Sequence, residues 1–165
     1  MRMIEPMLME LDHEAKTARR LLERVPAAHL AWAPHPKSMT LGRLAMHIAE
    51  IPGWVSAIIQ KDEFDVATGD RKPASATSVD DLLRMFDENV GKAQKAMQAL
   101  SDDQLRGSWR LLKGGQVIFA MPRIGVLRAM LLNHFIHHRG QLSVYLRLKD
   151  VPLPSIYGPT ADEPM

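Results

Sequence analysis

The stretch LLNHFIHHRGQLSVYL, Leu131 to Leu146, decides how this chain is read. It sets three histidines close together, and two of them, His134 and His138, lie four apart. The apolar residues around them recur at three- and four-residue intervals, the period of an amphipathic helix. The imidazoles are then metal ligands, packed core histidines or solvated surface groups. Spacing alone is a weak guide, and helical phase says more. Turning about 100° per residue from His134 puts His138 about 40° away. Leu127, Met130, Leu131, Gln141, Leu142, Tyr145 and Leu148 share that arc, whereas Arg128, Arg139, Ser143 and Arg147 fall outside it. Both histidines therefore sit mid-stripe on the face that meets a core. His137 falls on the shoulder beside Asn133 and Val144, behind the pair or at the surface.

Pro122 opens this last and longest helix, which runs to about Leu148. Before it, SWRLL and QVIFA flank KGG, the pattern of a short hairpin with a glycine turn. Three further helices precede the hairpin. The first starts near Pro6, carries Leu8, Leu11, Ala15, Ala18, Leu22 and Val25 on one stripe, and ends at Pro26. A proline-rich connector with His29, Trp32 and His35 leads to the second, from about Thr40 to Gln60. Its stripe is Leu44, His47, Ile51, Trp54 and Ile58, and Pro52-Gly53 should kink it. Residues 61–77 read as a polar crossover loop containing Gly69 and Pro73. Ser78 with Asp81 suggests a capping box opening the third helix, whose stripe runs from Val79 through Phe86 to Leu100. The expectation is one domain over residues 1–165, all-α: a four-helix bundle with a hairpin-like insertion before the last helix. Its long connections allow an up-down-down-up course.

The second helix adds a third imidazole to the core face. His47 sits between Leu44 and Ile51, so three histidines point inward with no carboxylate on their own stripes. Each would need a hydrogen-bond partner if buried, and one metal ion satisfies all three. The alternative is that each bonds a backbone carbonyl or a water. Glu50 borders the same face and is either a catalytic base, an orienting group, a fourth ligand or an exposed glutamate. His13 looks solvent-facing, and His29 and His35 are assigned no chemistry. Trp54 and Tyr145 are candidates for pocket walls, with plain core packing the expectation for Trp54.

Composition narrows the chemistry. The 165 residues are 46% hydrophobic and 24% charged, ordinary for a globular domain. Net charge is +2, with Lys and Arg dispersed, so nucleic acid is a poor partner. There is no cysteine. A metal must therefore be held by His and carboxylate, and any thiol must arrive on another molecule. No apolar run is long enough to span a membrane and no signal peptide is recognised, so a cytoplasmic location is expected.

The segments TLGRLAMHIAEIPGW and NHFIHHRGQLSVYLR, the connector WAPHPKSMTLGRL and the ending VPLPSIYGPTADE together resemble the DinB-like superfamily, over nearly the whole chain. That group includes thiol-dependent S-transferases and is related to mycothiol-dependent maleylpyruvate isomerases. The resemblance implies an up-down-down-up bundle with a divalent metal on three histidines, which map onto His47, His134 and His138. Some relatives carry a carboxylate where this chain has His134.

Three protein ligands leave an open coordination position, as catalytic sites do. The expectation is a metal-dependent S-transferase acting on a small molecule, using zinc, nickel or iron and a low-molecular-weight thiol. The alternatives are a metal-dependent hydrolase and a non-catalytic, metal-stabilised binding module. The last helix also bears Ala129, Leu132 and Ile136 opposite His134. Either the crossover and hairpin cover that face or a second subunit does, and a homodimer is expected.

Overall fold

A computed structural model describes residues 2–68 and 74–164. Gly69 and Pro73 of the expected crossover lie outside them. Helix α1 spans Ile4–Leu22. It begins a little before Pro6, which falls in the first turn, where a missing N–H leaves no bond unmade. Leu11, Ala15, Ala18 and Leu22 are buried along the expected stripe. Helix α2 spans Leu41–Glu50, and the Thr40 side chain caps it by accepting the Arg43 N–H at 3.1 Å.

The Pro52-Gly53 break takes the form of a tight 3₁₀ turn, Ile51–Trp54, followed by α3, Val55–Gln60. Pro52 has no N–H to give the carbonyl of Ile48, so the regular ladder cannot continue. Helix α4, Val79–Gln98, packs alongside. Its Asn89 donates from Nδ2 to the Ala49 carbonyl at 2.8 Å, partnering an acceptor next to the break. Only half of the expected capping box forms at the start of α4. Ser78 Oγ accepts the Asp81 N–H at 3.1 Å, but the Asp81 carboxylate pairs with Arg84 instead. The complete box lies at the short α5, Asp102–Arg106, between Ser101 and Gln104.

The all-α expectation is corrected by a three-stranded sheet. Strands β1 (Glu63–Asp65), β2 (Ser108–Lys113) and β3 (Gln116–Pro122) lie in that order. The β2–β3 hairpin is the expected one. Gly114 and Gly115 turn it at φ of 59° and 79°, conformations that favour glycine. Strand β1 is too short and polar to show in a sequence pattern. It runs parallel to β2, and the Asp65 carboxylate ties it to the turn by accepting the N–H groups of Gly114 (2.9 Å) and Gly115 (2.7 Å).

The last helix starts where Pro122 suggests but is not uniform. It comprises α6 (Arg123–Val126), a π-helical stretch (Leu127–Asn133) and α7 (His134–Arg147). Helices α1 and α2 each pack on both α4 and α7, so the mostly helical core is closed around α7. Phe86 and Phe135 stack there with ring centroids 6.0 Å apart. On the α1 side of α7, Arg139 and Glu14 form a buried ion pair. Tyr157 from the C-terminal segment donates to Glu14 at 2.8 Å and lies under the Arg139 guanidinium. Leu132 is fully buried within the chain, Ile136 is half-buried and Ala129 is exposed. The second apolar face of the last helix is thus covered in part from within. Among the described residues, no helix is long and apolar enough to cross a membrane.

Candidate metal centre

The packing of α2 on α7 brings His47 against the start of α7. His134 is the first residue of α7, at the exit of the π-helical stretch, and His138 follows one turn later. Each of the three offers one ring nitrogen, and these atoms all lie within 4.8 Å of one another. His47 Nε2 and His134 Nε2 are 3.1 Å apart. The His138 ring centroid is 4.5 Å from that of His47 and 4.6 Å from that of His134. His138 is buried and the other two are half-buried. The three residues selected by helical phase are the three that converge.

Their surroundings keep them neutral. Burial, then the charges of His138, Arg43 and His134, lowers the His47 pKa to about 4. Burial, then His138 and His137, lowers that of His134 to about 4. His138 is lowered mainly by burial, against the opposing effect of its hydrogen bond to Gln141. Neutral imidazoles are the form that binds metal. His138 Nδ1 donates to Gln141 Oε1 at 2.7 Å, which leaves its Nε2 lone pair free. His47 has the other tautomer: Arg43, which only donates, faces its Nδ1 at 3.3 Å, so Nε2 carries the proton and gives it to His134.

This donor set fits a divalent transition metal. Nitrogens held about 2.1 Å from a tetrahedral ion stand roughly 3.4 Å apart, close to the 3.1 Å between His47 and His134. For His47 to ligate through Nε2, its proton must pass to Nδ1. Glu50 Oε2, 3.8 Å from Nδ1, is the acceptor at hand. Glu50 therefore stands behind His47, where it also takes a 3.0 Å hydrogen bond from Arg43.

Trp54 is half-buried, with its ring 5.5 Å from His47 and 5.2 Å from His134. It walls the cluster and also packs against the core, so both readings of Trp54 hold. Tyr145 packs edge-on against Trp32 at 5.8 Å and donates to the Met39 carbonyl, fixing the connector to α7. His137 is exposed with its ring 4.8 Å from His138, and His13 is exposed as expected. His35 Nδ1 accepts the Lys37 N–H in the connector, and neither it nor His29 belongs to the cluster. Sequence reading placed Gln141 on the His134 face without giving it a role, and it missed Arg43. Both were within reach of helical spacing, Arg43 one turn before His47 and two before Glu50, Gln141 three residues after His138.

The family model that matches this chain, over residues 3–164, is that of the DinB family. The chain belongs to the DinB family. It is similar to the uncharacterized protein YrdA of Bacillus subtilis strain 168, at 28% identity over 164 residues, 95% of this chain and 93% of that one. Among solved structures, a DinB-like protein from Bacillus cereus ATCC 10987 superposes with a TM-score of 0.70 at 25% identity, covering 91% of this chain and 95% of that one. The DinB-like protein YjoA from Bacillus subtilis gives a TM-score of 0.68 at 17% identity, covering 90% and 97%, a likeness of fold alone.

Proposed function

We propose that this DinB-family chain is a metal-dependent S-transferase that uses a low-molecular-weight thiol, with His47, His134 and His138 as ligands of one divalent transition metal. The observation that supports it most is the convergence of three neutral imidazoles, one nitrogen each within 4.8 Å, from two facing helices. Zinc, nickel and iron all suit such a set. When bound, the metal supplies a Lewis acid that lowers the pKa of a thiol in the open position. The chain's own groups do the rest: Gln141 orients His138, the Glu50 carboxylate stands behind His47 to accept from its Nδ1–H, and Trp54 keeps water from one side of the cluster. The chain is further proposed to form one domain over 1–165 whose helical core runs up-down-down-up as a four-helix bundle. It would act in the cytoplasm on a small molecule, as a homodimer.

A hydrolase is the runner-up, its metal activating water in the open coordination position. Protein reloaded with zinc, nickel or iron would be mixed with a thiol panel and 1-chloro-2,4-dinitrobenzene. In the expected reaction the sulfur–carbon bond forms, chloride leaves and the thiol proton goes to buffer. Turnover should require metal and thiol together and disappear in His134→Ala. Ester hydrolysis without thiol would favour the hydrolase. No turnover, with a large loss of stability on chelation, would favour a metal-stabilised binding module.

A further inference from the structure

Arg43 is a charged group of the cluster whose hydrogen-bonding capacity is only partly taken up. It lies on α2 one turn before His47, with its side chain only 19% exposed. Nη1 donates to Glu50 and Nη2 faces His47, and a guanidinium has five N–H donors. The other three have no hydrogen-bond partner among the described residues. Glu50 is the only carboxylate within 4.0 Å of Arg43 among those residues.

A divalent ion on three neutral imidazoles contributes two positive charges, and the Arg43–Glu50 pair contributes none. A thiolate cancels one, so one positive charge remains in a half-buried site beside a guanidinium with donors to spare. An uncompensated charge away from water is costly, and a planar guanidinium matches a carboxylate in shape and charge.

We propose that the thiol taken by this site carries a carboxylate a few bonds from its sulfur, held by Arg43. Arg43 is then the residue that sets thiol specificity, separating anionic from neutral thiols. The proposal rests on the metal and thiol reading above.

The test uses the full chain loaded with cobalt(II), whose uptake is measured first by elemental analysis. Binding of 3-mercaptopropionate and of 2-mercaptoethanol is then followed by the sulfur-to-cobalt charge-transfer band, independently of turnover. The wild type should prefer 3-mercaptopropionate by about ten-fold. Arg43→Gln should lose that preference, read as the ratio of the two affinities within the variant, and Arg43→Lys should keep part of it. Circular dichroism of each variant confirms that it folds. Equal affinity for the two thiols in the wild type, or a preference that survives Arg43→Gln, overturns the inference and leaves the metal reading standing. Failure to take up cobalt, or a cobalt band that neither thiol perturbs, overturns the metal or thiol reading and this inference with it.

Discussion

Arg139→Met removes the cation of a buried ion pair and makes the sharpest stability test of how α7 is held. Arg139 and Glu14 have side chains 2% and 6% exposed, so solvent screens neither. Glu14 would keep the Tyr157 hydroxyl at 2.8 Å but lose its counterion. Stranding one member of such a pair costs about 3–5 kcal/mol. At roughly 2–4 °C per kcal/mol for a chain of this size, the melting temperature should fall by about 10 °C. Replacing both groups, Glu14→Leu with Arg139→Met, should cost less than either single change, because no buried charge is left unpaired. Urea and thermal unfolding by circular dichroism at pH 7, with chelator present, read the three variants against the wild type. A loss under about 1 kcal/mol for Arg139→Met, or single losses that simply add in the double variant, would show that the pair does not hold α7.

Acid should destabilise the metal-free protein. His47 and His134 titrate near 4 when folded against an ordinary 6.5, so between those values the unfolded chain binds more protons. Their contribution is fully present above pH 6.5 and is lost as pH falls toward 4, at about 1 kcal/mol per pH unit for each after allowing for partial exposure. Urea melts at pH 7, 5.5 and 4.5 should show this slope, and His47→Gln with His134→Gln should flatten it. Trp54 should report loading: nickel or copper should quench tryptophan emission in the wild type and far less in Trp54→Phe, since Trp54 is the indole beside the cluster. The expected homodimer has a candidate surface in Val117 and Ile118, exposed on edge strand β3. Light scattering at micromolar concentration should give twice the chain mass, and a monomer would rule the dimer out.

What the sequence disclosed follows from which interactions are local. The stripes of α1, α2 and α4, the Pro52 break and the KGG turn rest on residues close in the chain, and they stand as expected. The histidine cluster was legible for the same reason: each imidazole shares a face with its own helix's apolar residues, so two independent phases met at one point. Strand β1 was not legible, because its partners lie far along the chain in β2 and the hairpin turn. The π-helical stretch was missed as well. A wider turn changes phase without any proline or glycine to announce it. Arg43 escaped because its meaning depends on the rotamer that turns it toward Glu50 and His47 rather than to water.

The central claim is most directly tested by the metal content of the purified protein beside a His134→Ala, His138→Ala double variant. The account predicts about one equivalent of a transition metal in the wild type and none in the variant, with both folded by circular dichroism. No metal in either protein after reloading and dialysis, or equal metal in both, would contradict it.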